Sequence, residues 1–381
     1  MEINYLKEFR KELHKYPEVS GREKETSERI QAELKKFNPD EIIGNLGGNG
    51  VLAKFLSKSG KAEKTLLFRA ELDAIPVQEE SDFEHKSEHE NVMHGCGHDG
   101  HMTILIGVAS LLHENRPENT DVYLLFQPAE ETGEGAGWIL DDERFKNLDI
   151  DYAFALHNLP GYTAGSVVTK PGLFAAASTG VEITFKGESS HAAYPEQGIN
   201  PSTELVETVL QINKILQPFR EKDFLNKAVN TFIKLGEPAY GVSPGIGRAG
   251  FTLRSGSDEE LEDAVDAVRN FIEKQSKLFK GELEFRLVEP FTATVNDPDG
   301  VEIVKKSAKT TGLNVVDLEK AFPWSEDFGA FREKCPISIF GLGSGESSPH
   351  LHSEKYDFND ELLEPGIRMF MEIIRQFSNT A

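Results

Sequence analysis

Leu6, Phe9 and Leu13 recur at helical spacing across residues 3–16, and Ile30, Leu34 and Phe37 do so across 22–37. Beyond residue 50 the period shortens. β-type runs at Val51 to Leu56, Thr65 to Ala70, Asp121 to Gln127 and Tyr152 to Leu156, with a helix over 102–114 among them, predict a mainly parallel α/β sheet. Near Pro171-Gly172 the order changes. A strand at 178–187, a helix over 201–217, strands at 228–235 and 248–255, a helix over 258–278 capped by Ser257 and a strand at 281–288 give β-α-β-β-α-β, the order of a ferredoxin-like unit. A helix near 299–311, an apolar strand Ile337 to Phe340, a Gly/Ser-rich loop at 341–348 and a closing helix over 360–377 complete the chain. The pattern predicts a small α/β module inside a larger α/β domain.

Composition narrows the partners. The chain has 381 residues with 64 Asp+Glu against 41 Lys+Arg, a formal net charge of −23, and no run of basic residues offers a compensating patch. A body this acidic repels phosphate backbones and anionic lipid, so neither nucleic acid nor a membrane is an expected partner. No apolar run approaches the ~20 residues of a spanning helix, and the expected address is the cytoplasm. The 2 cysteines, Cys96 and Cys335, are too few for a disulfide framework. Cys335, before Pro336 and an apolar strand, reads as core.

The chemistry concentrates in Met93-His94-Gly95-Cys96-Gly97-His98-Asp99-Gly100-His101. Thiolate and imidazole are the ligands that borderline divalent metals prefer, and glycines let the backbone fold tightly around an ion. Other polar clusters follow the predicted strands: Glu71 and Asp73 after 65–70, Glu130 and Glu131 after 121–127, and His157 after 152–156. In open α/β sheets the crevice lies outside the carboxyl ends of the strands, so these groups are expected to converge there. Adjacent glutamates repel when both ionise, and a buried Glu130-Glu131 pair needs a cation nearby or one raised pKa. A hydrolytic metal site uses such a pair: one carboxylate ligates and the other takes the proton of the attacking water. Ser348-Pro349-His350-Leu351-His352-Ser353 brings imidazoles from the last third of the chain. His191, just after the first strand of the small module, is either an oxyanion stabiliser or a plain loop histidine. Arg254, at a strand end of that module, either anchors a carboxylate or pairs with a surface acid. No zincin helix, nucleophile elbow, P-loop or dinucleotide fingerprint competes.

These motifs resemble the amidohydrolase branch of the aminoacylase and glutamate-carboxypeptidase metallopeptidases, which includes hippurate hydrolases, auxin-conjugate hydrolases and N-acetyl-diaminopimelate deacetylases. The resemblance rests on Met93 to His101, Gln127-Pro128-Ala129-Glu130-Glu131, Ala155 to Pro160 and Leu351-His352-Ser353. It extends to Arg10 to Glu18, Arg69 to Pro76 and Ser325-Glu326-Asp327-Phe328, and so covers nearly the whole chain. It implies a zinc-exopeptidase-like α/β catalytic domain with a mixed central sheet (1–174 and 290–381), interrupted by a ferredoxin-like dimerisation or lid domain (175–289). By the same resemblance Cys96, His98, Glu131, His157 and His352 hold one or two divalent ions (Zn, Mn, Ni or Co), and Glu130 is the general acid/base. Asp73 orients a histidine ligand, and His191 polarises the scissile carbonyl across a homodimer formed through the lid. His14 matches a helix signature and is read as structural.

Two departures stand out. Glu71-Leu72-Asp73 replaces the usual Asp-Met-Asp, so Glu71 is left out of the ligand set. Val242 to Arg248 differs from the usual Val-Ile-Pro-Asp approach. The expected activity is hydrolysis of the amide bond of an N-acyl amino acid or short peptide-like conjugate. The alternatives are a dipeptidase or carboxypeptidase with the same site, or a non-catalytic binder of amino-acid conjugates.

Overall fold

Four apolar strands form the centre of an eight-stranded sheet in the computed structural model, which describes residues 2–378. Thr120–Gln127, Lys64–Glu71, Tyr152–Pro160 and Ile337–Gly345 lie side by side and parallel. Nearly every position along them is buried, rather than every second one, as in strands covered on both faces. Gly50–Phe55 and Glu41–Leu46 add antiparallel on one side. Val167–Thr169 adds antiparallel on the other, with Val315–Asp317 parallel to it at the far edge. The sheet is mixed, whereas the alternation of runs alone argued for a mainly parallel one. Because the central strands share a direction, their carboxyl ends open on one edge.

The segment from Gly341, expected as a loop, continues the last central strand to Gly345. Its glycines make room for neighbours: a Cβ at Gly341 would lie 2.0 Å from Leu159, and one at Gly343 would lie 2.2 Å from the Thr163 carbonyl oxygen.

The helix His98–Glu114 is buried on nearly every side. It starts four residues before the expected 102. Gly97, at φ 95°, turns the chain directly from the loop into the first helical turn. The C-terminal helix Leu363–Ser378 packs closely against it: a Cβ at Gly107 would lie 2.2 Å from Ile367 Cδ1, and one at Gly366 would lie 2.5 Å from Ile104 Cδ1. Ile3–Lys15 contributes Leu6 and Leu13 to the same core. Beside them lies a buried charge cluster. Arg10 meets Asp99, Asp357 and Asp360 at 3.3, 2.6 and 2.8 Å, and His14 sits 2.9 Å from Asp99 and 3.4 Å from Glu79.

The chain divides into two compact units, the second being Ala175–Ala293 with Phe322–Glu326. That unit is an antiparallel sheet in the order Lys227–Leu235, Ile246–Ser255, Ala177–Lys186, Glu282–Phe291. The helices Ser202–Ile215 and Asp258–Ser276 complete a βαββαβ unit, and Ser257 Oγ accepts from Glu260 N at 3.3 Å as an N-cap. Its exit at Ala293 is tied to the start of the second helix, where Ala293 N donates to Asp258 Oδ1 at 2.7 Å. Among the described residues no helix is long and apolar enough to cross a membrane.

Candidate metal centre

The larger unit brings the predicted ligands together at the carboxyl ends of its central strands. The donor atoms of Cys96, His98 and His157 lie within 4.8 Å of one another, and so do those of Cys96, Glu131 and His352. Cys96 belongs to both groups. A third group, His98, Glu130 and Glu131, overlaps them. His98 Nε2 stands 3.7 Å from Glu130 Oε2 and 3.9 Å from Glu131 Oε1, Cys96 Sγ stands 3.4 Å from His157 Nε2, and His352 Nε2 stands 3.5 Å from Glu131 Oε2.

The local backbone explains how the donors are aimed. His98 donates from Nδ1 to the Asp73 carbonyl oxygen at 2.9 Å, and His157 donates from Nδ1 to the Asn158 carbonyl oxygen at 2.9 Å. Each ring is thereby turned with its Nε2 toward the other candidate donors, the orientation of an imidazole pinned through its far nitrogen. Asp73 Oδ2 accepts from Ser20 Oγ at 2.7 Å and from Glu131 N at 2.9 Å, so one residue holds His98 through its main-chain carbonyl and the Glu131 segment through its buried carboxylate. Ala129, leading into the glutamate pair, has φ 49°, and His352 has φ 64°. Both are left-handed conformations that side chains rarely adopt, and both sit at the site.

The electrostatics fit a cation. Burial opposes a charge on His98, yet the carboxylates of Glu71, Asp73 and Glu131 push it up to about 10. His157 goes the other way: burial and neighbouring His101 hold it down at about 3. Burial and the acids Glu131 and Glu130 raise the Cys96 thiol well above its ordinary range. His98 Nε2 and Glu131 Oε1 are buried without a hydrogen-bond partner among the described residues. Buried polar atoms are rarely left so. A divalent cation satisfies them, and thiolate, imidazole and carboxylate are the donors that suit one.

Residues 67–376 match the peptidase family M20/M25/M40. The chain belongs to that family. This M20 chain is a metal-dependent hydrolase that acts on amide bonds. It is 30% identical over 392 residues to an IAA-amino acid hydrolase (ILR1-like 5) of Arabidopsis thaliana, covering 98% of this chain and 87% of that one. It is 29% identical over 381 residues to an N-acetyldiaminopimelate deacetylase of Bacillus cytotoxicus, covering 100% of both. A solved Bacillus subtilis structure, described as a dinuclear metal-binding peptidase of the M20 family, superposes with a TM-score of 0.77 at 24% identity, over 100% of this chain and 99% of that one.

Several residues of the M20 chain are engaged in ways the sequence did not signal. Glu71 accepts from His101 Nδ1 at 2.7 Å and from Arg69, which also reaches Gln127 at 2.9 Å and Asp327 at 2.6 Å. Its extra methylene therefore serves a buried charge network. His101 Nε2 lies 2.6 Å from Asn158 Oδ1, whose Nδ2 donates to Tyr356 Oη at 2.5 Å. Asn158 and Tyr356 went unread because neither residue type marks a metal motif. The adjacency of Asn158 to His157 was the available hint. In the smaller unit His191 is exposed on the short strand Ser190–His191, and its Nδ1 accepts from Ala193 N at 3.0 Å. Arg254 donates from Nη1 to Ser325 Oγ at 2.9 Å and to the Pro323 carbonyl at 3.3 Å, and it forms no ion pair among the described residues.

Proposed function

We propose that the protein hydrolyses the amide bond of an N-acyl amino acid, releasing a carboxylic acid and an amino acid. The observation that carries this reading is the buried Glu130 carboxylate beside the overlapping donor groups, 3.7 Å from His98 Nε2 and adjacent in sequence to Glu131. Cys96, His98, Glu131, His157 and His352 would hold two divalent ions, Zn, Mn, Ni or Co by donor chemistry. Bound metal supplies Lewis acidity, polarising the scissile carbonyl and lowering the pKa of water. Glu130 takes a proton from the attacking water as its oxygen joins the carbonyl carbon. It then gives that proton to the nitrogen as the C–N bond breaks. Asp73 holds the His98 ring in register.

His191 supports a donor role in its own unit: with Nδ1 accepting, the neutral ring carries its proton on Nε2, where it can polarise a carbonyl oxygen. Arg254 keeps donors beyond Nη1 for a substrate carboxylate. The names of the Arabidopsis and Bacillus relatives, a hydrolase of an amino-acid conjugate and a deacetylase, favour this substrate class. A second copy of the chain is the proposed partner of the smaller unit. Lys227–Leu235 is an edge strand with Val229 and Ile233 56% and 48% exposed, and the helix Ser202–Ile215 exposes Val206 and Leu210. A cytoplasmic address is proposed from the two free, buried cysteines, and cell fractionation checks it.

The test is Glu130→Gln, verified as folded and metal-loaded, on a panel of N-acetyl, N-benzoyl and indoleacetyl amino acids with dipeptides included. The expected loss is about 10²- to 10⁴-fold in kcat. Wild-type turnover by the variant sinks the mechanism. Wild-type turnover of dipeptides alone moves the substrate class to peptides.

A further inference from the structure

We infer that Asn158 is a positioning residue, a buried carboxamide that ties together the three chain segments bearing Cys96 and His98, His157, and His352. The inference rests on the ligand set proposed above.

Asn158 is fully buried near the end of the strand Tyr152–Pro160, one residue after His157, and its carbonyl oxygen receives the His157 Nδ1 proton at 2.9 Å. That fixes the first segment. Its side chain reaches the second through His101, whose Nε2 lies 2.6 Å from Oδ1. It also presses on the link between Cys96 and His98: a Cβ built at Gly97 would lie 2.5 Å from Asn158 Oδ1 and 2.9 Å from Tyr356 Oη. The third segment is joined when Asn158 Nδ2 donates to Tyr356 Oη at 2.5 Å. Tyr356 N donates to the Ser353 carbonyl at 2.9 Å, and His352 N donates to the Gly95 carbonyl at 2.8 Å, which closes the ring back onto the loop of Cys96.

Each contact alone would be ordinary core satisfaction. Together they give one residue, through its main chain and its carboxamide, a grip on every segment proposed to supply an imidazole or a thiol. Groups that fix ligands from behind characteristically alter metal affinity by 10- to 100-fold when removed. The far side of His101 is anchored just as firmly, since Glu71 takes its Nδ1 proton and Arg69 holds Glu71. Asn158 is therefore braced rather than free to follow the ligands.

The experiment uses the full chain. Zinc affinity is measured by competition with a chromophoric chelator, the cobalt-loaded protein is examined by visible absorption, and the unfolding midpoint is followed with and without metal. Asn158→Leu keeps the bulk and removes every side-chain hydrogen bond, and Tyr356→Phe removes one oxygen. Asn296→Ala is the structural control, because Asn296 is equally buried and bonds Ile339 in both directions, but touches none of the ligand segments.

Asn158→Leu is expected to weaken zinc at least about tenfold and to change the cobalt spectrum, with Tyr356→Phe following in the same direction and Asn296→Ala only lowering the unfolding midpoint. Wild-type zinc affinity and cobalt spectrum in Asn158→Leu, or a loss no larger than that of Asn296→Ala, overturns the inference. If Asn158→Leu does not fold, Tyr356→Phe decides by the same criteria. Cys96→Ser runs in parallel: wild-type affinity there overturns the ligand set, and this inference with it, a result separable from failure at Asn158 alone.

Discussion

His14 offers a test of the buried charge cluster that can be worked to a number. Its ring is fully buried, which by itself would drive it neutral, yet Asp99 at 2.9 Å and Glu79 at 3.4 Å push it up to about 9. In an unfolded chain a histidine titrates near ~6.5. The folded value is the higher one, so the contribution to stability is complete below ~6.5 and disappears as pH rises through about 9. The difference is about 2.5 pH units, and at ~1.36 kcal/mol per unit it amounts to roughly 3 kcal/mol. The substitution is His14→Gln, which leaves Asp99 its contact with Arg10 and retains a donor. Denaturant unfolding of the metal-free full chain, wild type against variant, gives a stability gap at each pH. That gap should be about 2–3 kcal/mol wider at pH ~6 than at pH ~9.5. A gap independent of pH refutes the reasoning, because it would mean that His14 contributes shape and neutral hydrogen bonds only.

The helix contact at Gly107 makes a second test. Alanine is the better helix former by ~1 kcal/mol, so a net loss in Gly107→Ala must come from its methyl meeting Ile367 Cδ1 at 2.2 Å. A net loss of about 1–2 kcal/mol is expected, with partial recovery on adding Ile367→Val, which deletes that carbon; an equal loss in the double variant points to another cause. For the proposed second copy, Ile233→Glu places a charge on the open edge of the four-stranded sheet and should convert a dimer to monomer in sedimentation equilibrium. A monomeric wild type, or a variant that stays dimeric, removes the edge strand from the interface.

The parts of the molecule visible in its sequence were those that announce themselves locally. Strands such as Thr120–Gln127 and Tyr152–Pro160 are continuous apolar runs because both their faces are covered, and the candidate donors stand out because Cys96 and His98 share one short glycine-rich run. The remaining features depended on partners distant in the chain. Glu41–Leu46 has only Ile42, Ile43 and Leu46 as apolar members and stands half-exposed at the sheet edge, so it carried no strand pattern. Gly341 and Gly343 read as loop residues because their use, close approach to Leu159 and Thr163, is invisible until those residues are placed. Phe322–Glu326 joins the smaller unit through backbone bonds, with the Phe322 and Trp324 carbonyls accepting from Ala176 N at 3.1 and 3.0 Å, and such bonds leave no trace in side-chain composition. Asn158 belongs to the same class: a carboxamide inside an apolar strand acquires meaning only when His101 and Tyr356 are folded around it.

Oxidants and alkylating reagents attack thiolates, not thiols. In the metal-free protein, burial and the nearby Glu131 and Glu130 keep the Cys96 sulfur protonated, and so slow to react. With Cys96 as a proposed ligand, its oxidation would remove one donor from each of the two groups that contain it. If Cys96 is a ligand, as proposed, protein oxidised at that sulfur is expected not to regain activity when metal is added back, whereas protein stored metal-free and recharged before use does.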